Sequence, residues 1–461
     1  MRLKQYLWLG ALGAFLWATA VGSAHAEVYE VGPGRPFANI GDVPWESLAA
    51  GDTVLIHWRE APYHEKWVVG RQGTEKLPIL ISGVPGPKGE LPVIDGRNAT
   101  TRPQLNYWGE ARNVIKVGGS NSPPDTTPAY VVIENLEVRS ARRPHTFTGR
   151  AGLTAYAVNA AAIQIEKGEN ITIRNCTLAD SGNGLFISPE TRGVLVEGSY
   201  IYGNGNVGDI YTHNVYTEAN GITFQFNRLG PLLPGAGGNN LKDRSAGTVI
   251  RFNWVEGGNR QLDLVDSEVW YADPAYRTTL VYGNILIEPG NDGNRQMIHY
   301  GGDGGRTAVY RKGTLHFYNN TVISRRTSLT VLMRLSTQDE QADVRNNVLY
   351  VTGPGNQLGI LETAGTARLT SNWLKPGWTR GVGSVTVEDL GGQVLGASPG
   401  FVDEAAGDFN LAPGSPCRDV AAAPHPEVIE WHPPFAEYWV HQAGLLRPDD
   451  GRLDIGAFEG R

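Results

Sequence analysis

Lys242 and Arg244 stand two residues apart in the segment Asn239-Asn240-Leu241-Lys242-Asp243-Arg244. On a β-strand that spacing puts both cations on one face. Such a pair suits the cleavage of a uronate-containing polysaccharide by β-elimination. A base removes the proton beside the sugar carboxylate, a cation neutralises that carboxylate, and the 4-linked oxygen leaves. Lys242 is the expected base, since a nearby arginine or burial lowers a lysine pKa. Arg244 is the expected neutraliser, with Tyr300 or His299 as proton donor. Glu218, Asp263 and Asp266 open two other chemistries. Together they could hold Ca2+, which prefers oxygen ligands and could bridge to a substrate carboxylate. Alternatively, a pair among them could serve a glycoside hydrolase as acid and base, with inversion at a separation of about 6.5–9.5 Å. His213, Tyr216, Glu218, Asp263 and Arg334 are the expected substrate contacts.

These residues can meet only if the chain returns on itself at a regular interval, and the sequence does repeat. Phe224-Gln225-Phe226-Asn227-Arg228-Leu229 sets the phrase: an apolar residue, two of any kind, Asn, one of any kind, an apolar residue. Copies centre on Asn227, Asn253, Asn284, Asn320, Asn347 and Asn372, 25 to 36 residues apart. Leu136, Cys176 and Ser199 hold the same place earlier. The segments between are short, β-branched and broken by Gly, Asn and Pro, which predicts strands. A propeller blade needs about 40 residues or more, so the spacing fits the three short strands of a β-helix rung better. Stacked rungs lie about 4.8 Å apart. An inward Asn in successive rungs would then form an amide ladder; the alternative is that each Asn occupies a left-handed turn.

A second set of strands aligns ahead of the Asn phrases: Ile163–Glu166, Leu185–Ser188, Val215–Glu218, Leu241–Arg244, Leu262–Val265, Met297–Tyr300, Val331–Arg334 and Leu358–Leu361. If the first residue of each points inward, the second and fourth point out. Tyr216, Glu218, Lys242, Arg244, Asp263 and Tyr300 then decorate one strip. Asp243 and His299 fall in the inward column, where they need polar partners or a bulge that turns them out. Loops at 204–214, 231–239, 268–277 and 301–306 flank the strip. Insertions on one face of a repeat protein often line its binding surface.

The Asn phrase, with the closing Asp454-Ile455-Gly456-Ala457-Phe458-Glu459, resembles the right-handed parallel β-helix of the pectate-lyase-like superfamily over roughly residues 50–415. The resemblance implies an all-β, single-domain solenoid. It leaves activity open, because the superfamily holds lyases, hydrolases, esterases and non-catalytic adhesins. Lys242 and Arg244 are similar to the Lys and Arg of β-helix lyases such as chondroitinase B and alginate lyases. Those enzymes take their Arg from a neighbouring rung, where this chain has Asp263. Calcium-dependent β-helix pectate lyases are similar in kind to the Ca2+ alternative. His213-Asn214, residues 239–244 and Met297-Ile298-His299-Tyr300-Gly301 resemble a pattern recurring in exported bacterial β-helix proteins of no settled activity.

Residues 1–26 read as a secretory leader: Arg2 and Lys4, an apolar run from Tyr6 to Val21, then Ala24-His25-Ala26. Residues 27–50 are the expected N-terminal cap, 51–400 the coil and 401–461 an irregular C-terminal cover. The 461 residues carry 40 Lys+Arg against 47 Asp+Glu and include no long basic block, so nucleic acid is not an expected partner. No second segment is apolar enough for a membrane. HExxH, CxxC and P-loop fingerprints are absent, and no zinc, redox, acyl-transfer or nucleotide role is expected. Cys176 and Cys417 make no disulfide framework, and their pairing stays open. The expectation is an exported, monomeric, polysaccharide-active protein that needs no cofactor or takes Ca2+. First choice is a lyase on acidic glycan; the alternatives are a glycoside hydrolase and a non-catalytic glycan-binding solenoid.

Overall fold

The structure, a computed structural model, describes residues 26–461; the expected leader, up to its final Ala26, lies outside the described residues. The chain winds into a right-handed parallel β-helix. The rung of Lys242 shows the plan. Leu241–Asp243 joins the run of strands that bears the strip, Ala246–Arg251 joins a second run, and Trp254–Glu256 joins a parallel sheet of 11 strands. Alternation decides which residues enter the core. Leu241, Leu262, Ile298, Met333 and Leu361 pair rung to rung and are fully buried. Each such side chain contributes roughly 1.5–3 kcal/mol on burial, so the column favours this winding over any register that turns it outward.

The corner before the third strand carries the Asn phrase. The left-handed residue is the one preceding the Asn: Phe226, Phe252, Gly283, Asn319, Asn346 and Ser371 all have φ between 50° and 65°. The ladder Asn is therefore free to point inward. Asn227, Asn253, Asn284 and Asn320 each donate from Nδ2 to Oδ1 of the next at 3.0 Å, and Asn347 donates to Asn372 at 2.9 Å. Each Oδ1 also accepts a backbone N–H from the rung behind. Buried amides are tolerated here because every rung supplies the partner for its neighbour. A second ladder, Asn204 to Asn214 to Asn240 at 3.0 Å per step, runs along another corner. Its members belong to no common phrase, and the sequence did not reveal it.

The ends differ from simple lids. Val28–Val31, within the expected cap, already pairs in parallel with Thr53–His57 as a stacking strand. Ile40, Val43, Trp45 and Leu48 behind it are buried. The tail from about 401 lies along the flank of the coil. Phe409 stacks on Trp254 with centroids 5.6 Å apart, and Phe435 meets Phe252 edge-on at 5.1 Å. Gly456 N–H donates to Asn346 O at 2.8 Å, and Asn319 Nδ2 to Asp454 O at 3.0 Å. The tail thus covers the row of left-handed corners. Cys176 and Cys417 are both buried and free. Among the described residues no helix is long and apolar enough to cross a membrane.

Candidate functional site

Strand register puts one outward residue per rung into a single file: Phe186, Tyr216, Lys242, Asp263, His299, Arg334 and Glu362. Two expectations are corrected by this register. His299 pairs with Asp263, not with an inward residue, and Tyr300 pairs with Leu264 and is fully buried in the core. The sequence alignment slipped by one residue at Met297, because Met297, Ile298 and Tyr300 are all apolar enough to be inward. The slip grew at later rungs, where Arg334 and Glu362 belong to the file. Tyr300 is therefore no proton donor at the strip. Asp243 does point inward, as expected, and its partner is the fully buried Arg311 at 3.1 Å, with Thr217 Oγ1 donating at 2.8 Å.

The file from Phe186 to Arg334 forms the floor of a cleft of about 620 Å³. Ile210, Tyr211 and His213 wall it from the 204–214 loop, Asn239 and Arg260 from the preceding turns, and Asp303 with Gly304 from the 301–306 loop. The 231–238 and 268–277 loops stand aside: Trp270 of the latter donates to Glu218 O at 3.1 Å. A larger groove of about 890 Å³ lies near the N-terminal rungs. Its charged groups are tied internally, Glu65 to the N–H groups of Ile40 and Gly41 and Arg59 to the carbonyls of Ala61 and Pro62.

Asp263 organises the cleft. Its Oδ2 accepts from Lys242 Nζ at 2.7 Å and Asn239 Nδ2 at 2.7 Å, and its Oδ1 accepts from His299 Nδ1 at 2.9 Å. Burial opposes its charge, but the His299 hydrogen bond and the Lys242 cation outweigh burial and hold the carboxyl well below the usual range. Lys242 also donates to Asp303 Oδ2 at 2.5 Å. Burial would lower its pKa, yet the two carboxylates win and raise it above the ordinary lysine value. The ammonium is held protonated, which is opposite to what a resting base needs. Asp303, despite burial, is drawn down to about 2 by Lys242.

Arg244 is fully employed as well. It donates to Tyr216 Oη at 2.9 Å and Asp303 Oδ1 at 2.8 Å, and meets Asp266 at 3.2 Å. The open guanidinium is that of Arg334, whose Nε is buried without a partner; the Arg260 Nε is also without one, but its other nitrogens reach Asp263 at 3.7 Å and Gln296 at 3.4 Å. His213 accepts from Asn239 N–H at Nδ1, 2.9 Å, which leaves its proton on Nε2. Burial, with the Lys242 charge, lowers its pKa to about 3. His299 is also pushed down by burial, partly offset by Asp263. It is neutral at pH 7, and the ionised Asp263 fixes its proton on Nδ1. Phe186 and Tyr216 stack at 5.1 Å to form an aromatic step at one end of the file.

The expected calcium trio does not converge. Asp263 faces the file, Asp266 Oδ1 accepts the N–H groups of Asp303 and Gly304, and Glu218 accepts from Ser267 at 2.7 Å. Among the described residues no three His, Cys, Asp or Glu side chains form a metal-holding group. Sequence reasoning missed Arg260, Asp303 and Ser336. Their only signals were a basic residue at a strand entrance, an acid inside a glycine-rich loop and a hydroxyl two places beyond Arg334.

No protein-family model matches the chain, and no curated protein does. Among solved structures, pectate lyase Pel9A gives a TM-score of 0.52 at 13% identity, over 95% of this chain and 98% of that one. The PL6 family polysaccharide lyase Pedsa3628 from Pseudopedobacter saltans gives 0.41 at 12% identity, over 81% and 94%. XylC in complex with xylose gives 0.44 at 12% identity, over 82% and 88%. With its long parallel sheets and this overall superposition, the chain has the pectate-lyase-like parallel β-helix fold.

Proposed function

We propose that the protein is an exported enzyme acting on acidic polysaccharide by β-elimination. The observation that carries this reading is the unpaired guanidinium of Arg334, with the partly engaged Arg260 near it, in the same cleft as a neutral His299. They can donate to a uronate carboxylate and neutralise it as the adjacent carbon loses its proton. His299 Nε2 takes that proton, while Asp263 holds the ring and stabilises the imidazolium formed. Lys242, kept charged by Asp263 and Asp303, donates to the departing glycosidic oxygen. The sequence reading gave the base role to Lys242 and neutralisation to Arg244; this geometry favours His299 and the Arg260–Arg334 pair. The aromatic step of Phe186 and Tyr216 offers a stacking surface for a neighbouring sugar.

Hydrolysis is less well supported. A glycoside hydrolase needs one protonated carboxyl, yet Asp263 and Asp303 are both held ionised. Glu218, raised by burial, is tied to Ser267 and is not among the residues lining the cleft. The test is incubation with alginate, pectate and glycosaminoglycans. Ultraviolet absorbance of an unsaturated uronate end is the expected result. New reducing ends without that absorbance would mean hydrolysis, and retention on the glycan without product would mean a binding module.

A further inference from the structure

We infer that Ser336, His299 and Asp263 form an acyl-transfer triad at the C-terminal side of the cleft, acting on O-acyl esters carried by an anionic sugar. Asp263 Oδ1 lies 2.9 Å from His299 Nδ1, and His299 Nε2 lies 2.9 Å from Ser336 Oγ. The order nucleophile, base, orienting carboxylate is that of a serine hydrolase. Burial follows it too: Asp263 is buried, His299 nearly so, and Ser336 partly open. The tautomer is forced. An ionised carboxylate accepts only, so Nδ1 carries the imidazole proton, and neutral His299 presents a bare Nε2 to the Ser336 hydroxyl. Gly302 O, 3.0 Å from Oγ, is the competing acceptor, and a neutral carbonyl is a weaker one than imidazole nitrogen.

The surroundings supply the remaining parts. Gly301 has φ +134°, and a Cβ there would lie 2.6 Å from both Cβ and Oγ of Ser336. Only glycine lets the 301–306 loop approach this closely, and the approach brings Gly302 N–H to 3.0 Å from Oγ. Arg334, two residues earlier on the same outward face, has an unpartnered Nε. These are the donors beside Ser336 for a carbonyl oxygen that becomes an oxyanion. No sequence fingerprint announces the triad, because its members come from three successive rungs rather than one turn.

The reaction balances with water alone. Ser336 Oγ bonds to the acyl carbon as its proton passes to His299 Nε2. The sugar oxygen then leaves with that proton, giving an acyl-serine. Water attacks the acyl-serine, gives a proton to His299, and releases the carboxylic acid and the free serine, which takes the proton back. The ester chemistry shares His299 and Asp263 with the elimination and adds Ser336 as nucleophile; only the choice of an anionic sugar rests on the function proposed above.

The test uses the whole protein with a fluorophosphonate probe and with p-nitrophenyl acetate. One covalent adduct, mapped by peptide mass spectrometry to Ser336, is expected. Acetate release should fall at least 100-fold in Ser336→Ala and in His299→Ala, and acid should be released from O-acetylated acidic glycan but not from its deacetylated form. Absence of an adduct on Ser336 of the unaltered protein, or unchanged release in Ser336→Ala, overturns the inference. Neither probe contains a uronate, so this failure would leave the elimination reading standing, and failure of the glycan assay would leave the triad standing.

Discussion

The Asn ladder and the cleft file are built by the same device, one residue per rung in register, yet they end in opposite states. In the ladder each amide meets an identical amide, and every donor and acceptor is used. In the file each rung presents a different group, and guanidinium donors stay unfilled at Arg334 in the file and at the Nε of Arg260 in the turn beside it. Repetition satisfies polar groups at a buried position. Broken repetition leaves some of them waiting for a ligand. Substitutions in the two columns should therefore separate stability from activity.

The largest effect is expected at His299. His299→Ala should lower kcat on acidic glycan by about 10²–10⁴-fold, the usual worth of a general base. Arg334→Ala should cost roughly 10–100-fold in kcat/KM, as removal of a hydrogen bond between charged groups does. In the ladder the pattern inverts. Asn284→Ala strips partners from Asn253 and Asn320 and should cost about 2–3 kcal/mol in urea unfolding, while activity per folded molecule stays unchanged. A ladder variant that inactivates without destabilising would break the comparison.

A pH profile sharpens it. Burial depresses the His299 pKa below 6.5, and the neutral form is the active one, so kcat/KM should be flat near neutrality and fall only as pH drops through that lowered value. Lys242 is raised above 10.5, so no alkaline loss is expected until above that pH. An acid midpoint at or above 6.5 would count against His299 as base. The smallest effect is expected at Tyr211, 78% exposed on the cleft wall. Tyr211→Ala should raise KM only a few-fold, in line with about 0.5–1.5 kcal/mol for a stacking contact.

Most of the fold was legible because it is repetitive. Asn227 to Asn372 announced the rung length, and Leu241 and Leu262 announced the inward column. Polar position in the file was legible only where alternation was clean. Leu262-Asp263-Leu264 gives the correct face, whereas Met297-Ile298-His299-Tyr300 is compatible with two registers, of which the fold adopts the one with Ile298 inward. Reading His299 outward between Ile298 and Tyr300 would have restored the file. The Lys242 protonation state was beyond reach, because Asp303 arrives from a loop 61 residues away and only folding brings it to 2.5 Å. Asp266 illustrates the same limit: its carboxylate looked free for a metal, but backbone N–H groups of that loop occupy it.

The tail docked on the flank ties distant parts of the chain together. Asn319 waits for Asp454, 135 residues further on, and the Thr321 hydroxyl for Ala457, 136 further on. Rungs can stack as soon as each is made, but their corners stay wet until this segment arrives. Cutting the chain before Phe401 should therefore leave a wound coil whose Phe226, Phe252 and Trp254 form a sticky seam, prone to self-association at concentrations where the intact protein stays dispersed.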